Sequence, residues 1–318
     1  MDQNSKPIKI GISQCLLGSE VRYDGQHKLD KHLINTYGPF FEWQPFCPEF
    51  ESGMGIPREA MRLEGDFENP KLMTRNSRTD KTKQLLDWSI PKSKSMSNDD
   101  LSGIIFKKGS PSCGLFKMRP YTEVGHNESG AGLFAREVIK QNPHIPMEEE
   151  GRLKDSGLRE IFIGKVFVYH RWKNLNEAGL TPAKLIQFHQ DHKYQLMSHS
   201  PDKLKALGQL VAKVNKGNIE VMAEDYFILL CKTISLKPTI AKHSNTLSHI
   251  FGYFKKELSS DEKAEMLELF ENYRNKISPL IVPVTMLKHY IRKYKQPYLS
   301  SQTYLDPHPK ELMIRNSS

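Results

Sequence analysis

Three of the four cysteines in this 318-residue chain stand in similar settings. They are Cys15 in Ile12-Ser13-Gln14-Cys15-Leu16-Leu17-Gly18, Cys47 in Gln44-Pro45-Phe46-Cys47-Pro48-Glu49, and Cys113 in Lys108-Gly109-Ser110-Pro111-Ser112-Cys113-Gly114. Each follows a short apolar run and is flanked by turn residues. If those runs are parallel strands of one sheet, all three thiols fall on the same edge, where open α/β sheets build their sites. Three converging thiolates would make a metal or cluster site with one position unfilled. The separations, 32 and 66 residues, lack the close Cys-x-x-Cys pairs of a zinc site and the local ligand clustering of a radical-type iron–sulfur enzyme. Thiolates from separate strand ends suit iron–sulfur chemistry. A four-iron cluster with three protein ligands leaves one iron open as a Lewis acid. Spacing alone is equally compatible with three unrelated small buried residues. Cys231 lies outside these settings and reads as a core residue.

The elements that must position these residues follow from the hydrophobic pattern. Ile8-Lys9-Ile10-Gly11-Ile12-Ser13, Phe41-Glu42-Trp43-Gln44-Pro45 and Leu101-Ser102-Gly103-Ile104-Ile105-Phe106 read as strands, with a short fourth at Ile145-Pro146-Met147. Between them, helical spacing runs over Leu29–Tyr37, Thr79–Ile90 (closed by Pro91) and Gly130–Gln141. Residues 92–99 read as a polar loop. This alternation predicts an α/β domain, a mostly parallel, Rossmann-like sheet covered by helices, over residues 1–155. From 156 to 318 the pattern turns to amphipathic helices: 158–172, 182–199, 201–215, 219–233, 238–256, 260–276 and 284–294. Thr181-Pro182 and Ser200-Pro201 put Pro in a first helical turn. The second domain is therefore expected to be all-α, with an extended tail from Lys295.

Hydrophobic residues make up 38% and charged residues 26%, a globular profile. No run of about 18 apolar residues is present, so no membrane partner is expected. The first seven residues carry no apolar signal region. A cytoplasmic location follows as an expectation, and there thiols are metal-binding or reactive rather than paired. The net charge of +9 is uneven: residues 1–150 hold 20 Lys and Arg against 21 Asp and Glu, residues 151–318 hold 26 against 16. A positive field confined to the second half suggests a polyanionic partner, or else a solvated basic surface.

Five segments together carry a family resemblance. Cys15-Leu16-Leu17-Gly18, Val21-Arg22-Tyr23-Asp24-Gly25, Cys47-Pro48-Glu49, Gly55-Ile56-Pro57-Arg58 and Lys107-Lys108-Gly109-Ser110-Pro111-Ser112-Cys113-Gly114 resemble the thiouracil desulfidase (TudS) family over residues 6–150. Phe188-His189-Gln190-Asp191-His192-Lys193-Tyr194 and Leu207-Gly208 resemble the YbgA-like helical domain often fused to it. The fused architecture is similar to that of desulfidases acting on 4-thiouridine in transfer RNA. The resemblance implies that Cys15, Cys47 and Cys113 hold a [4Fe-4S] cluster, with the fourth iron open to a thiocarbonyl sulfur. It also implies that Glu49 and Ser110 are the catalytic pair.

The residue types agree with that chemistry. A thiocarbonyl is a soft ligand, a carboxylate can take and return the proton of an added water, and a serine can orient the base ring or an oxyanion. Equally, Glu49 after Pro48 fits a helix N-terminal acid, and Ser110 before Pro111 a turn residue. Arg22, Tyr23, Asp24, Arg58 and Lys107 are candidates for the substrate, with Asp24-Gly25 also fitting a plain turn. His189 and His192, at i and i+3, have metal spacing but no third ligand, and read with Lys193 as a basic helix face for RNA docking. The expected function is conversion of 4-thiouridine in tRNA to uridine, with no obligate protein partner. The alternatives are the same reaction on free thiouracil or thionucleotides, and a non-enzymatic RNA-binding protein with a structural or sensing cluster.

Overall fold

The computed structural model describes residues 7–122, 130–312 and 314–316. The readings of Met1–Lys6 as free of a signal region therefore lie outside the described residues. The chain divides into two compact units, Met1–Asp155 and Ser156–Ser318. The first is α/β and the second is helical.

In the first unit β1 (Ile8–Ser13) is the centre of the sheet. It pairs in parallel with β2 (Phe41–Phe46) on one side. Two further strands, β3 (Met61–Glu64) and β4 (Lys71–Thr74), form a separate antiparallel pair. On the other side of β1 lies β5 (Leu101–Phe106), which in turn pairs in parallel with β6 (Met147–Glu149). Every residue of β5 is buried, as expected of a strand covered on both faces. Because all four strands of the main sheet run the same way, Ser13, Phe46, Phe106 and Glu149 end on one edge. Phe46, Phe106 and Phe134 pack in tilted and edge-on contacts beneath that edge, which gives the following loops a rigid floor.

The structure departs from the sequence reading of this unit at three places. The helix expected to close before Pro91 runs through it, over Thr82–Ser95. An interior proline removes one hydrogen bond and usually ends a helix. Here Leu85, Ser89, Ser93 and Met96 are buried at helical spacing, and the helix packs against Leu133–Gln141, so packing outweighs the lost bond. The β3–β4 pair was not expected, and the last strand lies two residues later than its pattern.

The second unit consists of helices Ser156–Glu177, Pro182–His199, Pro201–Val211, Ile219–Ile234, Ile240–Phe251, Ser260–Arg274 and Ile281–Lys293. Thr181, Ser200 and Thr239 cap the helices that follow them through their hydroxyls, and Ser259 and Glu262 form a capping box. One contiguous core runs through the unit. The segment after Lys295 is not extended. It forms a short helix at Pro297–Ser300 and 3-10 turns, and buries Leu299, Tyr304, Leu305, Leu312 and Ile314. Gln302 Nε2 donates to the Gln190 carbonyl at 2.8 Å and Thr303 N to that of Asp191 at 2.9 Å. Among the described residues no helix is long and apolar enough to cross a membrane.

Candidate active site

At the carboxyl edge of the parallel sheet, Cys15 follows β1 in a 3-10 turn, Cys47 follows β2, and Cys113 sits in the loop after β5. All three are buried and unpaired, and all three line one cavity of about 210 Å³. The strand ends set this convergence, because side chains 32 and 66 residues apart are brought together only by parallel pairing.

The loop carrying Cys113 is held by polar contacts from below. Ser13 Oγ, at the end of β1, accepts from Lys107 N at 2.9 Å. Glu150, just past β6, accepts from Lys108 N at 2.7 Å and from Lys107 Nζ at 2.5 Å. Glu149 Oε1 accepts from the amides of Leu115 and Phe116. Gly109 takes φ +71°, a backbone conformation that suits glycine. Gly132 lies against the loop so closely that a Cβ would stand 2.6 Å from the Pro111 and Ser112 carbonyl oxygens. Nothing larger fits there without moving the loop.

Glu49 is the hub. It stands in the short helix Pro48–Glu51, and its side chain is 9% exposed. Its neighbour Glu51 performs the capping role, accepting from Cys47 N at 2.7 Å. The Glu49 carboxylate turns to the cavity instead. Ser110 Oγ donates to its Oε1 at 3.2 Å and Ser112 Oγ donates to the same oxygen. The two hydroxyls lie 2.9 Å apart. Oε2 takes the Cys47 thiol at 3.7 Å. Ser110 Oγ also accepts from Cys113 N at 3.1 Å, so one serine ties the carboxylate to a cysteine loop.

The thiols share an electrostatic environment. Burial first, then the charge of Glu49, pushes Cys15 up to about 11 and Cys47 up to about 12. The same two causes raise Cys113 well above its ordinary value, and Cys47 and Cys15 add to it. The three therefore sit within range of one another as protonated thiols, a state that a cationic group would reverse. Among the described residues no three His, Cys, Asp or Glu side chains are gathered as ligands of a single metal ion. An all-thiol donor set spread around a cavity fits a polynuclear, sulfur-liganded group better than one ion.

The remaining candidates divide. Arg22, Tyr23, Arg58 and Lys107 line the cavity; Asp24 does not. Asp24 pairs with Arg22 at 3.5 Å and accepts from Gln26 N, as a turn residue does. Arg58 Nη1 is occupied by the carbonyls of Val21 and Gly55, both at 3.1 Å. In the second unit, His189 and His192 present no basic face. His192 is buried, its Nδ1 donates to the Phe188 carbonyl at 2.8 Å, and burial holds its pKa down to about 3. His189 is half-buried against the Tyr226 hydroxyl and is held at about 4, by burial and then by Lys193. Lys193, the third of that trio, lies over the rings of Tyr194 and Tyr298. Cys231 is half-buried rather than a full core residue.

Sequence reasoning missed Ser112, which is fully buried yet bonded to Glu49. It also missed Arg75 and Lys108, two cations that line the cavity from other loops. The motif Ser110-Pro111-Ser112-Cys113 held the signal for Ser112, since both serines flank the same proline.

Residues 10–150 match the family model for 2-thiouracil desulfurase, and residues 193–309 match that for DUF1722, a protein of unknown function. The chain thus carries, in order, a segment similar to 2-thiouracil desulfurases and a segment similar to DUF1722 proteins. The match to 2-thiouracil desulfurase supports an enzyme acting on carbon–sulfur bonds, and it spans all three cavity cysteines, Glu49 and both serines. A curated relative, the uncharacterized protein YbgA of Escherichia coli (strain K12), is 29% identical over 154 residues, 48% of this chain and 91% of that protein. A solved structure, the [4Fe-4S]-dependent thiouracil desulfidase TudS (DUF523Vcz), is 28% identical, covering 46% of this chain and 93% of that one, with a TM-score of 0.35.

Proposed function

We propose that the chain is a desulfidase that converts 4-thiouridine in transfer RNA to uridine and sulfide, with Cys15, Cys47 and Cys113 holding a [4Fe-4S] cluster that keeps one iron open. The observation that carries this reading is the convergence of three buried thiols, Glu49 and two serines on one cavity within a segment similar to 2-thiouracil desulfurases. When bound, such a cluster supplies a soft Lewis acid that prefers a thiocarbonyl sulfur to the oxygen of ordinary uracil.

The chain's own residues handle the proton. Ser110 and Ser112 hold Glu49 by Oε1, and Oε2 takes its donor from the Cys47 thiol. Ligation requires that thiol to lose its proton, which frees Oε2 to accept one from water. Water adds at C4 as Glu49 takes one of its protons and passes it to the sulfur; as the carbonyl forms, the new hydroxyl gives up its own proton to the departing sulfur by the same carboxylate. The sum is hydrolysis: the C=S bond at C4 is replaced by C=O, one water is consumed, hydrogen sulfide is released, and nothing is oxidised or reduced.

One observation supports an RNA substrate. The excess of positive charge lies wholly in residues 151–318, which suits phosphate contacts. The cavity of about 210 Å³ suits a single pyrimidine, so a base within folded RNA would have to leave its stack to react. That same size favours the second reading, free thiouracil or a thionucleotide. Anaerobically reconstituted protein incubated with thiolated tRNA, followed by mass spectrometry of the nucleosides, separates them. Loss of 4-thiouridine with matching uridine and sulfide, faster than on the free base, is the expected result. Equal or higher rates on free thiouracil would move the substrate to the small molecule. No sulfide from any thiopyrimidine would refute the enzyme reading.

A further inference from the structure

The second unit contains a cavity of about 560 Å³ between the helix Ile281–Lys293 and the C-terminal segment. Its walls are apolar at Ile281, Ile291, Leu305 and Ile314, while its charged lining is one-sided. Lys288, Arg292, Lys310 and Arg315 stand against a single acid, Asp306. Asp306 is engaged by Lys288 at 2.5 Å, and Arg315 lies 3.5 Å from Glu160. The side chains of Arg292 and Lys310 have no hydrogen bond or ion pair among the described residues.

His308 decides what kind of anion fits. Its ring is 9% exposed and lines this cavity. Nδ1 lies 3.1 Å from the Pro309 carbonyl, an acceptor, so Nδ1 carries the proton. Nε2 is then a bare lone pair, buried and without a partner. Burial, with Arg315 and Arg171 adding to it against the Pro309 bond, keeps the ring neutral down to about pH 4. Arg171 itself donates to the Pro307 carbonyl and leaves a buried Nη1 without a partner. Fixed cations beside a lone pair call for a ligand that is anionic and also carries a hydrogen-bond donor. A phosphomonoester meets both needs as its monoanion, since its last proton leaves only near pH 6, and inorganic phosphate, with one more hydroxyl, keeps a donor at higher pH as well. A phosphodiester has no such hydroxyl.

We propose that this cavity binds a phosphomonoester group, with Arg292 and Lys310 facing its charge and His308 Nε2 sharing its proton. The proposal is independent of the desulfidase reading. Calorimetric titration of the full chain tests it with three probes: inorganic phosphate, uridine 5′-monophosphate and dimethyl phosphate. Saturable binding of the first two, at least tenfold tighter than dimethyl phosphate, is expected. The surface double variant R292Q/K310Q should weaken it tenfold or more with an unchanged Tm, which assigns the heat to this cavity. His308→Phe, which keeps a ring beside Phe167 in place of the tilted contact, should remove the preference over dimethyl phosphate. Tighter binding of the nucleotide than of inorganic phosphate identifies an attached phosphate as the source, and equal binding a free one. No saturable binding, no preference over dimethyl phosphate, or an unchanged double variant would overturn the site.

Discussion

Both units bury ionisable groups, yet they do so in opposite ways. In the first unit three thiols and Glu49 converge on one cavity, where burial and then the Glu49 charge raise the proton affinity of every thiol. In the helical unit His192, His199, His243 and His308 are spread through the fold. The Nδ1 of three of them meets a backbone carbonyl, and His243 meets the Tyr304 hydroxyl. Burial alone therefore does not mark a reaction centre. In the first unit the marks are convergence and the perturbation of all three thiols; in the second, His192, His199 and His243 are dispersed rings that serve the architecture.

Substitutions that break the convergence should have the largest effect. Glu49→Gln is expected to lower desulfidase turnover by about 10²- to 10⁴-fold while iron and acid-labile sulfide content stay unchanged; a parallel loss of iron would make Glu49 structural. Cys113→Ala should abolish both. On the other side of the comparison, Leu247→Ala, at a position with no exposure in the helical core, should cost about 2–5 kcal/mol. Hydrogen exchange should place that loss in residues 156–318 with iron content untouched.

Acid should separate the units further. Burial holds His192 and His243 down to about 3 and His199 and His308 to about 4, below the ordinary 6.5. Above pH 6.5 both folded and unfolded rings are neutral and nothing is lost. As pH falls below 6.5 the unfolded rings bind protons that the folded ones refuse, so stability declines until the folded values are reached. At pH 5 each ring costs about 2 kcal/mol, and thermal unfolding from pH 7.5 to 5 should show the helical unit melting first. The smallest effect is expected from Ser112→Ala. It removes one of two hydroxyls on Glu49 Oε1, about 1.5–3 kcal/mol for a bond to a charged group. It should act on kcat more than on KM, with Ser112→Thr restoring part of the rate.

The same contrast explains what could be read from sequence. The strands of the parallel sheet and the helices of the second unit are periodic, local signals, and the cysteine settings follow from strand ends. β3 and β4 were missed because Met61-Arg62-Leu63-Glu64 and Lys71-Leu72-Met73-Thr74 lack the β-branched density of a strand. Pro91 misled because its local cost is fixed, while the packing of Leu85, Ser89 and Ser93 that outweighs it is tertiary. The C-terminal segment buries Tyr304, Leu305 and Ile314 at irregular spacing, which no periodicity reveals. Ser112 and Lys108 reach the cavity from a loop whose course depends on Glu149 and Glu150, and Arg75 from one held by Glu59 through the amides of Asn76 and Ser77, all far away in the chain. Histidine burial was hidden for the same reason, since Phe188-His189-Gln190-Asp191-His192 reads as polar until the helix is packed.

The distances between the three cysteines along the chain have a consequence for maturation. With the proposed ligands, loading the cluster closes loops of 32 and 66 residues in one event. A crosslink of that kind takes its stabilisation from the freedom removed from the unfolded chain, about (3/2)RT for each natural-log unit of loop length. The cofactor is then a staple across the sheet edge as well as a reagent. Chelating the iron should therefore quicken hydrogen exchange at the ends of β1, β2 and β5 together, before any helix of the second unit responds.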